Sequence, residues 1–319
     1  MAGPTGARAR FAAALARFFA PQPQQGMVAA RIGFGLVLFG AWVSKAPALQ
    51  ALYGPEGVGG FASHQRAPGL AAGRPLEAAW QHLHRLESPE AVTALWVLLL
   101  LASGAFAAGY RTRLAGLVAL GLHALFQARS YAVMGDWAVM IKPWLLYVIL
   151  APSGRRLSVD AWLRARRGLG EATSWLGPAA PVRLLQVHLC TMYAMAGWSR
   201  LANAEWLSGE VVFSILTDRF YGRFDVDWLP WLPALRLLTW GVYALEPVAP
   251  ILLWVPRFRG VTVLALIGLH VGMELFTNAD WWQPMMLSAL AVFFPWAATG
   301  GLVWERLLPL GRRGAPRAP

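Results

Sequence analysis

Charge is what this chain has least of. Only 14% of its 319 residues are Asp, Glu, Lys or Arg, and acids are scarcest, 16 against 28 basic side chains. Soluble domains carry about a quarter charged residues, so a water-exposed globule is excluded. Cysteine is nearly absent as well. Cys190 stands alone inside an apolar run, which rules out an internal disulfide and leaves a small packing residue. No repeat, low-complexity tract or second soluble domain is visible. The net charge of +12 is not gathered into a basic stripe on a nucleic-acid fold signature, so no nucleic-acid partner is expected. The N-terminus lacks the uninterrupted apolar core of a cleavable signal peptide, because Arg17 breaks it.

What is present is apolar surface: 57% hydrophobic residues and 17 Trp. A membrane-spanning helix needs about 20 apolar residues. Eight stretches qualify, at 27–46, 91–109, 113–129, 137–152, 183–200, 233–255, 260–277 and 282–300, the fourth being short. The expected fold is an all-α polytopic integral membrane bundle of about eight transmembrane helices plus interfacial helices. Residues 1–26 read as an amphipathic helix on the cytoplasmic face, with Phe11, Leu15, Phe18 and Phe19 on one side. A transmembrane domain over 27–300 and a basic cytoplasmic tail over 301–319 complete the division. With the N-terminus inside, Arg8, Arg10, Arg17, Arg31, Arg111, Arg113, Arg155, Arg156, Arg164, Arg166, Arg167, Arg183, Arg257, Arg259, Arg306, Arg312, Arg313 and Arg317 all fall on the cytoplasmic side. Only three acids join them, Asp160, Glu171 and Glu305. That asymmetry predicts a multi-pass protein of the inner (cytoplasmic) membrane with both termini cytoplasmic. Two outer connections exceed simple turns and are expected to roof a cavity facing outward: 47–90, with a short helix expected around "PLEAAWQHLHRL", and 201–232, rich in acids and aromatics.

Ionisable side chains inside the spans each need a partner, water or a function. Arg200 lies 17 residues beyond Arg183, about 25 Å along a helix. It therefore sits near the outer interface, either snorkelling to headgroups or facing a polar site. Lys142, beside Pro143, is expected to pair with an acid, and Asp136 to cap the helix it opens. His270 and Glu274 are four apart and share a face. With His123 they can be drawn as metal ligands, but a hydrogen-bonded network is the better reading, and no metal is assigned. Glu246, before Pro247, is either protonated or paired with a group the sequence does not identify. By depth, Arg129, Asp136, Lys142, Arg200 and Glu274 share the outer third and His123 and His270 the next layer, which suggests a chamber open to the outside.

The segment "LLQVHLCTMYAMAGWSRLANAEWLSGE" resembles the fifth-span signature of the horizontally transferred transmembrane (HTTM) family, through Gln186, Tyr193, Ala196, Gly197, Arg200, Trp206 and Gly209. A second block, "MGDWAVMIKPWLLYVILAPSGRRLSVDAW", fits the family's Gly-Asp, Pro-Ser-Gly-Arg and Ser-x-Asp pattern through Gly135, Asp136, Pro152, Ser153, Gly154, Arg155, Ser158 and Asp160. The family includes the vitamin K-dependent gamma-glutamyl carboxylases and small bacterial proteins that mature secreted peptides such as the sporulation-delaying peptide. The carboxylases use a motif lysine to deprotonate a reduced quinone. Ser199 and Arg200 stand there in this chain, and arginine stays protonated, so it cannot be that base. An assisting histidine is replaced near Arg129. The resemblance thus implies the scaffold and an outward-facing polar site without the carboxylase base. Arg200, Lys142, His270 and Glu274 would form its reactive set, and Gln186, Tyr193, Trp206, Arg129, Asp136 and His123 would line a ligand site. The implied ligand is a peptide or a quinone-like molecule, with a reduced quinone as the family's cofactor. The implied partners are the lipid bilayer, a secreted peptide precursor and separate proteins. A small-molecule transporter or channel and a non-catalytic membrane assembly subunit are the alternatives.

Overall fold

A computed structural model describes residues 4–58, 88–129, 135–169 and 174–296. The expected helix around "PLEAAWQHLHRL" and the tail 301–319 lie outside the described residues. The chain is mostly helical. In order the described helices are α1 (Pro4–Phe18), α2 (Gln25–Val43), α3 (Leu49–Tyr53), α4 (Pro89–Ala108), α5 (Thr112–Arg129), α6 (Asp136–Leu150), α7 (Val159–Arg166), α8 (Ala179–Leu201), α9 (Ala204–Ser208), α10 (Val211–Thr217), α11 (Leu232–Leu252), α12 (Pro256–Phe276) and α13 (Trp282–Leu290). One two-residue antiparallel pair, Gln22–Pro23 with Leu176–Gly177, joins the segment after α1 to the start of α8.

Local chemistry sets several boundaries. Ser88 caps α4 by accepting from the Ala91 amide at 3.1 Å, Pro89 follows at the first position, and Gly109 ends the helix at φ +71°. The amides that open α5 are capped from a distance. The Asp160 carboxylate accepts from Arg111 N at 2.8 Å, Thr112 N at 3.0 Å and the Thr112 hydroxyl at 2.8 Å. Burial works against the charged form of Asp160, but these bonds and the nearby Arg164 outweigh it and hold the carboxyl below the usual aspartate range.

Each of the eight apolar stretches coincides with a helix over part of its length. Among the described residues three helices, α2, α4 and α12, are long and apolar enough to cross a membrane by length and composition. Within 282–300 the helix runs only through Leu290 among the described residues, nine residues or about 14 Å. The core is aromatic: Trp42, Trp137, Trp144, Phe34, Phe106 and Phe126 are fully buried where α2, α4, α5 and α6 meet. The other half of the bundle is built on α8 against α11, with α12 and α13 beside them. Arg31, counted above among cytoplasmic charges, is wholly buried and braces the loop after α6, donating to Ser153 O at 3.0 Å and Leu157 O at 2.5 Å.

Candidate functional site

Helix α8 buries Gln186, Leu189, Tyr193 and Gly197 on one face, and Arg200 continues that stripe three residues on. Its guanidinium therefore turns toward α11 and away from the exposed Trp198 and Leu201. There it forms an ion pair with Glu246, whose side chain is 7% exposed against 21% for Arg200. Gly197 makes the approach possible. A Cβ at that position would lie 2.6 Å from the backbone of Pro247, so only glycine lets the two helices close at this level. Prolines at 247 and 250 inside α11 remove two ladder donors on the same stretch.

The Trp206 ring, in α9, covers the pair from the loop side, 4.5 Å from the Arg200 guanidinium carbon. The segment carrying it is strapped down at several points. Trp240 Nε1 donates to Leu207 O at 3.2 Å, Val212 N to the Thr239 hydroxyl at 3.2 Å, and Arg236 pairs with Glu210. Further along, Arg223 N donates to Phe276 O at 3.0 Å at the end of α12. Residues 202–231 thus form a roof across the ends of α11 and α12. Beneath it, Arg200 Nε is buried and makes no hydrogen bond.

A second feature lies about 10 Å deeper, two helical turns before Arg200. The Tyr193 hydroxyl meets His270 Nε2 at 2.8 Å, and His270 Nδ1 meets Gln283 Oε1 at 2.5 Å. All three are at least 95% buried. Because Oε1 can only accept, the network assigns the proton to Nδ1 and makes Nε2 the acceptor from tyrosine. Arg200 is within electrostatic reach of this histidine.

The other sequence-selected residues are distributed differently. Glu274 does not join Arg200. Its carboxylate is 37% exposed and sits 3.8 Å from Arg223, because α12 has left the bundle core by that turn. Lys142 is half-buried in α6, within electrostatic reach of His123, and has no carboxylate in pairing range among the described residues. His123 uses both ring nitrogens elsewhere, with Trp42 Nε1 donating to Nδ1 at 3.2 Å and Nε2 against Ala138 O at 2.9 Å. The residues expected at one level are thus divided: Arg200 pairs with Glu246, Glu274 with Arg223, and His123 is bonded to Trp42 and Ala138. Asp136 is exposed in the first turn of α6, and Gly135 is the N-cap, so the carboxylate complements the helix dipole without capping. Gln186 is committed to Arg183 at 2.8 Å and Val292 O at 2.9 Å, which ties α8 to the chain after α13. Arg129 is buried at the end of α5. Among the described residues no three His, Cys, Asp or Glu side chains group as metal ligands. Gln283 escaped a search for ionisable groups because it carries no charge. Its signal is a lone amide opening an apolar helix directly after Trp281 and Trp282.

The HTTM domain matches residues 75–297 of this chain. No curated protein and no solved structure gives a significant match.

Proposed function

The chain belongs to the HTTM domain family, and from that premise we propose that it is a multi-pass inner-membrane protein that binds or modifies a peptide or quinone-like ligand under the Trp206 roof. Eight spans with both termini cytoplasmic are part of this reading, supported by the arginine asymmetry and by a helix in each apolar stretch. The observation that carries the reading is the Arg200 Nε donor, buried and free beside a neutralised Arg200–Glu246 pair. A pair that is already neutral favours a carbonyl oxygen over a second carboxylate, since a further anion would meet Glu246. A quinone or peptide carbonyl can accept from Nε while its plane packs on the indole of Trp206. A reduced quinone, where bound, would supply redox chemistry. Arg200 would orient its oxygen, and the Tyr193–His270–Gln283 chain would hold a proton position below it.

The test uses cells carrying the wild-type gene, an Arg200→Gln/Glu246→Gln double variant, or no gene. The double variant removes both charges together and is expected to accumulate normally. Mass spectrometry of quinones and secreted peptides should show a wild-type-specific species that the double variant fails to produce. Identical profiles in all three, with protein present in the first two, would end the proposal. Solute flux through proteoliposomes in place of a product would assign the site to a carrier.

A further inference from the structure

Away from Arg200, at the end of the bundle braced by Arg31, an open groove of about 520 Å³ lies between the α4–α5 turn and the loop that follows α6. Arg111, Arg113, Arg155 and Arg164 line it, and Asp160 is the sole acid among its lining residues. That carboxylate is already engaged by the amides of Arg111 and Thr112. Arg164 is anchored to the floor, donating to Arg155 O at 2.9 Å, while Arg111, Arg113 and Arg155 extend into solvent. The groove is therefore strongly cationic. One lip is apolar. Leu114 lines it and is 55% exposed, and Leu117, one turn on, is 52% exposed, so a bare stripe runs from the arginines down α5. Leu146 and Leu150 form a matching exposed stripe on α6, which packs against α5 and delivers the chain into the groove.

An arginine cluster beside exposed apolar stripes on two packed helices fits a phosphate carried on acyl chains and has no use for the stripes if the phosphate is free. We propose that this groove is a binding site for an anionic phospholipid, with Arg113 and Arg155 on the headgroup phosphate and the acyl chains along Leu114–Leu117 and Leu146–Leu150. The proposal is independent of the Arg200 site.

Full-length protein in neutral detergent is titrated with phosphatidylglycerol, phosphatidylcholine or inorganic phosphate, and bound molecules are counted by native mass spectrometry. Phosphatidylglycerol should bind at least about tenfold more tightly than either control and should weaken with added salt. Arg113→Gln/Arg155→Gln, both at exposed positions, should lose about tenfold or more for phosphatidylglycerol with an unchanged melting temperature. Equal binding of the two lipids, or of free phosphate and lipid, overturns the proposal on the unaltered protein whatever the variant does. Undiminished phosphatidylglycerol binding by a folded double variant overturns it as well.

Discussion

Arg200 and Glu246 form a poorly solvated ion pair where α8 and α11 meet. Taking one of two charges out of a poorly solvated pair leaves the other without compensation, and such losses run to about 3–5 kcal/mol, whereas removing both together can be nearly neutral. Arg200→Gln alone and Glu246→Gln alone should each lower thermal stability in detergent, toward the lower end of that range because the arginine keeps partial solvent access. The double variant should recover most of the loss, and additive losses would show that the two charges do not interact. The sequence left open whether Arg200 snorkels or faces a polar site, and the buried stripe of Tyr193 and Gly197 decides it; only its depth was legible. Its partner was not. Depth along a helix does not say which helix stands opposite: Glu274, at the level of Arg200 by depth, stands apart with Arg223, and Glu246 is the partner because α11 closes on Gly197. The same blindness applied to Arg31, which the positive-inside pattern grouped with the loop arginines, with no hint that its guanidinium is enclosed by backbone carbonyls.

Among the elements, α5 owes its start to a residue 48 positions downstream, counted from Thr112. The "SVDAW" stretch matters because Ser158 caps α7 while Asp160, in the first turn, reaches back to cap α5, so one short helix fixes two. Asp160→Ala should cost about 1 kcal/mol, below the range of about 1.5–3 kcal/mol for buried charge-assisted bonds, since the carboxylate is near the surface. The native carboxyl titrates below its unfolded value of 3.8, so its contribution is fully present above that value and is lost as pH falls through the native one. The stability gap between wild type and Asp160→Ala, followed by thermal melts from about pH 7 to about pH 3, should hold steady and then close only in the acid range. A gap that closes near neutrality would point to another group. Sequence periodicity located the elements well because apolar runs and helix ends are local properties. It did not foresee that α13 stops so early, nor which helix ends the expected roof over 201–232 would cover, because those outcomes depend on contacts between distant segments.

For the whole molecule, the claim with most riding on it is orientation. The arginine-rich end, with the lipid groove, and the Arg200 end, with its tryptophan roof, must face opposite aqueous phases if the bundle crosses the bilayer as proposed. The chain offers a clean way to ask. Its one cysteine, Cys190, is buried and its polar contacts, to Pro250 O at 3.7 Å and to Trp254, are those of a weak thiol donor and acceptor, so a Cys190→Ala background should fold. Into it go single cysteines at exposed positions on the two ends, Asn203→Cys beside α9 and Ser174→Cys before the start of α8. A membrane-impermeant maleimide applied from the outer side of intact inner membranes should label position 203 and spare position 174 until the membrane is opened. The reverse pattern would place the Arg200 site on the cytoplasmic side, where a secreted peptide could meet it only before export. Labelling of both without lysis would mean that α8 does not cross the membrane, and the proposed site would then lose the low-dielectric setting that makes a buried Arg–Glu pair and a free Nε donor chemically useful.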